Sequence, residues 1–286
     1  MKILLLAALV GIWTPVAFAE AAPASSGKAT SLFDGKSLAG WEALPPLLWT
    51  VKDGCLTGGD GNKIPYNDFL CTTASYSNFI LYLKIKLTGD PATGFINSGI
   101  QIRTRRDSAG HEVCGYQCDY GEPNWYGGIY DEGRRNKLMA AADMAALDFA
   151  IKPGDWNDYV IKADGNRIRT WINGVQGVDY EEKEANIASD GLIGIQVHGG
   201  GSAIVRVKDV FIEELPPTPD AVTWEKLGGV EGQRAKLSPK VDLVKPLGSA
   251  GSPLHLNFET GPLEGRRIEG DAREGQPVRG NAVARQ

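Results

Sequence analysis

The sequence predicts an all-β chain folded as an antiparallel β-sandwich or jelly roll. Short runs of alternating apolar and polar residues recur along it, most of them bounded by Gly, Asp, Asn or Pro. Glycine is abundant, with 36 residues among 286, and helical periodicity is scarce. Asp-Gly and Asn-Gly pairs stand inside or between several of the runs, where they favour tight hairpin turns. The length accommodates one large β domain or two smaller ones.

In chain order, residues 1–19 come first: a positive start at Lys2, an apolar run through Ile12 and Trp13, then Ala17-Phe18-Ala19. This is the pattern of a secretory signal peptide cleaved after Ala19. A retained membrane anchor is the competing reading, but the apolar run is short for a span. Residues 20–30 are small and polar and read as a flexible lead-in. In SLFDGKSLAGW, Leu32 and Phe33 start a strand, Asp34-Gly35 turns it, and Leu38 and Trp41 bring apolar weight back to the core. The segment WTVKDGCL, Trp49 to Leu56, carries a second Asp-Gly hairpin. Phe79 to Leu87 is the clearest strand, with Lys84 and Lys86 facing outward.

Between Asn136 and Leu147, KLMAAADMAAL is the single plausible helical piece, with a loop packed by its alanines as the alternative. Trp156 to Ala163, Arg167 to Ile172 and Val175 to Tyr180 follow as strands, the last two joined by Asn173-Gly174. Gly191 to His198 and Ile204 to Leu215 close a sandwich spanning residues 31–215. From 216 to 286, prolines, glycines and unpatterned charge predict a linker or mostly disordered tail, with one short apolar return at Leu254 to Phe258.

The net charge of −5, with no basic block, argues against nucleic acid as a partner. No second segment is apolar enough to cross a bilayer. The mature chain is therefore expected in the periplasm or outside the cell, without an integral membrane segment. Four cysteines, Cys55, Cys71, Cys114 and Cys118, would then meet an oxidising compartment. Cys55 and Cys71 flank a turn region, Gly58 to Asn62, and are the favoured disulfide. Cys114 and Cys118 lie four apart in a strand, too distant to bond unless the strand bends at Gly115. A zinc site is less favoured, because the spacing lacks CxxC pairs.

The segment from Asn97 to Arg135 concentrates the chemistry. Read with a period of two, Asn97, Gly99, Gln101, Arg103 and Arg105 fall on one side of a strand, opposite Ser98, Ile100, Ile102 and Thr104. In the next strand Gln117 and Asp119 alternate with Tyr116, Cys118 and Tyr120. A sheet face holding these polar groups, with Trp125 and Tyr130 close by, suits a polar ring-shaped ligand. A solvated outer face is the alternative.

The motifs LFDGKSLAGW, NSGIQIR, GYQCDY, YGGIYDEGRR, WNDYVIKADGNRIRTWINGV and GLIGIQVHGGG, in this order from Ser31 to Leu215, resemble the 3-keto-disaccharide hydrolase family. The resemblance implies a concanavalin A-like lectin/glucanase sandwich acting on glycosides already oxidised to a ketone at C3. The tail segment FETGPLEG resembles the opening of a further sandwich module, but it ends almost at once.

A C3 ketone acidifies the hydrogen on C2, so the bond at C1 can break by elimination. That path needs a base for the C2 proton, a donor or cation for the enolate oxygen, and an acid for the leaving oxygen. His198, Asp119, Glu132 and Arg103 are the catalytic candidates, with His198 preferred as base or acid. Gln101, Gln117, Trp125, Tyr130, Gln196 and Asn97 are the candidates for binding the sugar. Asp119, Glu132 and His198 are also a set that could hold a divalent ion. A conventional glycosidase would show two carboxylates in an ExDxxE-like strand, which is absent from this sequence. A non-catalytic carbohydrate-binding module on the same fold remains the alternative from another class.

Overall fold

Alternating side chains give most strands one apolar face, and two such faces meet as the core of a β-sandwich. The structure, a computed structural model, describes residues 20–44, 48–107 and 112–237. Its strands in chain order are β1 (Thr30–Ser31), β2 (Trp41–Glu42), β3 (Trp49–Lys52), β4 (Cys55–Gly58), β5 (Asp68–Thr72), β6 (Phe79–Thr88), β7 (Asn97–Arg106), β8 (Val113–Gly121), β9 (Ile129–Glu132), β10 (Lys137–Ala140), β11 (Asn157–Asp164), β12 (Arg167–Ile172), β13 (Val175–Glu181), β14 (Leu192–Val197) and β15 (Ile204–Glu214).

One sheet runs β13-β12-β11-β6-β15-β4-β3, with β1 on the edge of β15; the other runs β10-β9-β8-β7-β14-β5-β2. Between them, Leu81, Leu83 and Ile85 of β6 and Tyr159 and Ile161 of β11 belong to the same buried core as Ile100 and Ile102 of β7, Tyr116 and Cys118 of β8, and Ile193 and Ile195 of β14. Lys84 and Lys86 alternate outward on β6, as the sequence pattern requires.

Two expectations are corrected. Cys55 and Cys71 form no disulfide, and all four cysteines are free and buried. Cys55 lies on β4 and Cys71 on β5, in opposite sheets. Their neighbours Leu56 and Leu70 fill the core, so by alternation both cysteines face away from it. The segment from 136 to 147 is part strand, β10, which pairs with β9, and only its end is helical, α1 (Met144–Leu147), capped by the Asp143 side chain.

Of the tail from 216, expected to be mostly disordered, the described part to residue 237 contains α2 (Trp224–Leu227) and α3 (Gly229–Leu237). The Thr223 hydroxyl accepts from the Lys226 amide at the start of α2, and Gly228 takes a left-handed φ of 80° to end it. The pair docks through Trp224, which is 2% exposed and packs with Cys114 and Ala188. Gln233, fully buried, donates to the Asn186 carbonyl at 2.6 Å and accepts from the Ala188 amide at 2.9 Å. Gln233→Leu should cost about 2 kcal/mol, because it leaves the buried Ala188 amide unpaired and removes the donor to the Asn186 carbonyl; urea unfolding measures it, and an unchanged midpoint would show that the helices do not support the sandwich. Residues 1–19 and 238–286, with Leu254 to Phe258 and FETGPLEG, lie outside the described residues.

Candidate functional site

Strand register decides which polar side chains share a face. Across β7 and β8, Gly99 stands opposite Asp119 and Gln101 opposite Gln117; across β8 and β9, Gln117 stands opposite Tyr130 and Gly115 opposite Glu132. Cross-strand partners point to the same side. Asn97, Gln101, Gln117, Asp119, Tyr130 and Glu132 therefore share the face turned away from the core. On β14, Gly194 stands opposite Gln101, which puts Gln196 on that face, and His198 follows just past the strand end.

A cavity of about 370 Å³ opens on this face. Of the residues expected from sequence, Asn97, Gln117, Asp119, Trp125, Tyr130, Glu132 and His198 line it. Gln101 and Gln196 share the face but are fully buried and lie outside the lining. Asn67, Phe95, Glu122 and Pro123 complete the wall. They sit on loops, where no periodicity marks a residue as facing a site, and sequence reasoning missed them.

Glycine at 99 and 194 lets the glutamine side chains of this face lie close over the backbone. A Cβ on Gly99 would lie 2.5 Å from Gln117 Cγ, and one on Gly194 3.2 Å from Gln101 Cβ. On the same face, Asn97 Oδ1, Gln101 Oε1, Asp119 Oδ2 and both amide atoms of Gln196 are buried without a hydrogen-bond partner in the protein. Buried polar atoms are costly when unpaired. Those of Asn97 and Asp119 belong to residues that line the cavity, where a ligand could meet them.

The carboxyl of Asp119 is oriented by a relay. Gln101 Nε2 donates to Gln117 Oε1 at 2.7 Å, and Gln117 Nε2 donates to Asp119 Oδ1 at 2.8 Å, which leaves Oδ2 as the unpartnered oxygen. Burial pushes the Asp119 carboxyl up to about 8, against the lowering by Gln117 and with a further push from Glu132. Burial, aided by Glu112 and Asp131, pushes Glu132 up to about 7. Both carboxyls thus hold protons at pH values where ordinary ones are ionised.

His198 Nδ1 donates to the Gly199 carbonyl at 2.6 Å, so in the neutral ring Nε2 carries the free lone pair. Its ring meets Phe95 edge to face at 5.6 Å, and Asn67 Oδ1 fixes the turn by accepting from the Gly199 amide at 2.8 Å.

Arg103 does not join this group, which corrects the catalytic role expected for it. The register slips by one residue between Ile102 and Arg105, and Arg103 takes a φ of 49° in the resulting bulge. Its guanidinium, 2% exposed as a residue, bonds instead to the Ser77 carbonyl at 2.7 Å, the Gly165 carbonyl at 2.7 Å and Asn78 Oδ1 at 2.9 Å, tying β7 to the other sheet.

The residues fit a metal ion poorly. Among the described residues, no three His, Cys, Asp or Glu side chains come together as a metal-ligand group, Asp119, Glu132 and His198 included. The described residues also include no helix long and apolar enough to cross a membrane.

The description of a 3-keto-alpha-glucoside-1,2-lyase-like domain matches residues 28–213. The chain belongs to this family. Membership, anticipated by the order of the sequence motifs, gives the chain a carbohydrate-related function. No curated protein matches it. Among solved structures, a Parabacteroides distasonis protein provisionally named a glycosyl hydrolase is 20% identical, with a TM-score of 0.50, covering 66% of this chain and all of its own. A carbohydrate-binding module of Bacillus subtilis is 15% identical, with a TM-score of 0.46, covering 61% of this chain and 96% of its own. A galectin-like protein of unknown function, also from Bacillus subtilis, is 10% identical, with a TM-score of 0.47, covering 62% of this chain and 90% of its own. The family's sandwich fold is the fold found here.

Proposed function

We propose that this lyase-like chain is an exported enzyme that cleaves the glycosidic bond of 3-keto-glycosides, 3-keto-disaccharides among them, by elimination and subsequent hydration. The observation that carries the proposal is Asp119: a carboxyl at the cavity wall, aimed by Gln117, with an unpartnered oxygen and a proton retained near neutral pH.

With Arg103 engaged elsewhere, the donor for the enolate oxygen is the neutral Asp119 carboxyl. A protonated carboxyl in a poorly solvated site stabilises a developing oxyanion by hydrogen bonding. His198 Nε2 takes the C2 proton. The C2–H electron pair forms the C2=C3 bond of the enolate as the carbonyl pair moves onto the C3 oxygen, to which Asp119 donates. That pair then re-forms the carbonyl, the C2=C3 pair becomes the C1=C2 double bond, the C1–O bond breaks, and Glu132, protonated below about 7, gives its proton to the leaving oxygen. Water then adds across the double bond to give the free keto sugar. Gln117, Asn97 and Tyr130 bind the ring hydroxyls. No step is routed through a metal ion.

Incubation of the protein with a 3-keto-glucoside should release the aglycone, and His198→Ala should slow release by about 10²–10⁴-fold while the circular dichroism spectrum is unchanged. Binding of sugars with no turnover on any keto-glycoside would instead leave a carbohydrate-binding module.

A further inference from the structure

Polarity is divided along the cavity. The unpartnered atoms of Asn97 and Asp119 lie in the wall formed by the sheet, whereas the β6–β7 and β8–β9 loops contribute ring surfaces. Phe95 is 63% exposed and Trp125 39% exposed, and both line the same cavity. Their loops are joined side by side, with the Glu122 amide donating to the Ile96 carbonyl at 2.9 Å. One exposed aromatic is unremarkable, but two on adjoining loops around a polar hollow form a stacking site. Among the described residues lining the cavity, the acidic groups are Asp119, Glu122 and Glu132, with no lysine or arginine.

From this division we propose that the space between Phe95 and Trp125 is a subsite for an uncharged aromatic leaving group, so that aryl glycosides oxidised at C3 are the favoured substrates. The inference rests on the reading of the cavity as a 3-keto-glycoside site. A sugar held between these rings would find only the Trp125 indole N–H among the side chains of Phe95, Pro123 and Trp125 to meet its hydroxyls, whereas a phenyl ring needs no partner. An anionic ring would find no lysine or arginine among these lining residues to pair with. The edge contact of Phe95 with His198 places the stacked group beside the catalytic imidazole.

The test compares kcat/KM on the phenyl and methyl glucosides oxidised at C3, for the wild-type protein, Phe95→Ala and Trp125→Ala. The preference for phenyl over methyl should fall about five- to tenfold in each variant. Equal losses on the two substrates, or an unchanged preference, would overturn the subsite. Phe95 is largely exposed, so its removal should leave the fold intact. Calorimetric binding of the unoxidised phenyl and methyl glucosides supplies a readout without chemistry. Should the wild type cleave neither keto-glycoside, the catalytic reading fails, and loss of phenyl-selective binding in the two variants, or its persistence, decides the subsite alone.

Discussion

Asp119→Asn should reduce cleavage of a 3-keto-glucoside by about 10²–10⁴-fold and, in the same molecule, raise stability in alkaline solution. The first effect follows because an amide keeps the shape of the relay partner but is a far weaker acid, and so a weaker donor to an enolate oxygen, than a neutral carboxyl. The second follows from linkage. Burial raises Asp119 from its ordinary 3.8 to about 8 in the folded state. Between these values the native protein holds a proton that the unfolded chain releases. Its contribution is therefore fully present below about pH 4 and lost progressively as pH rises through about 8, at about 1.4 kcal/mol per pH unit. Glu132, raised from 4.5 to about 7, acts in the same direction over a narrower window. Asparagine carries no proton to lose, so urea unfolding at pH 5 and pH 9 should show the variant gaining on the wild type at the higher pH. Parallel pH dependences would show that Asp119 is ionised in the folded protein, and the donor role would go with it.

Arg103→Leu should destabilise the protein by about 3–5 kcal/mol without reshaping the cavity. The guanidinium is buried and bonds to three oxygens, none of them a carboxylate. Leucine would leave two carbonyls and Asn78 Oδ1 to find other partners; the Asn78 oxygen retains the Gly165 amide at 3.1 Å. Denaturant unfolding should show the loss, while the folded fraction keeps its affinity for sugar. A variant of normal stability that no longer turns over would return Arg103 to the reaction.

The contrast between Asp119 and Arg103 shows what the sequence made legible. Period-two alternation placed Gln101, Gln117 and Asp119 on one face, and the register agrees, because β7 and β8 pair without interruption from Asn97 to Ile102. The same alternation carried Arg103 onto that face and failed, since one extra residue in a bulge shifts the register and leaves no mark in residue type. Cys55 and Cys71 were read as hairpin neighbours from their spacing about a turn. The chain between them crosses from one sheet to the other, which only tertiary structure records. The docking of α2 and α3 depends on Trp224 and Gln233 among charged and glycine residues, too few apolar positions to give a periodic signal. The loop residues Asn67, Phe95 and Glu122 reach the cavity through backbone course alone.

The missing side chains at Gly99 and Gly194 have a consequence for how such a protein diversifies. A side chain at either position would crowd Gln117 or Gln101, which lie over these glycines between hydrogen-bonded strands. The polar floor is therefore a template of nearly constant shape, while the surrounding loops are free to drift. Descendants of this scaffold would be expected to retain their preference for one kind of ring and to trade one attached group for another.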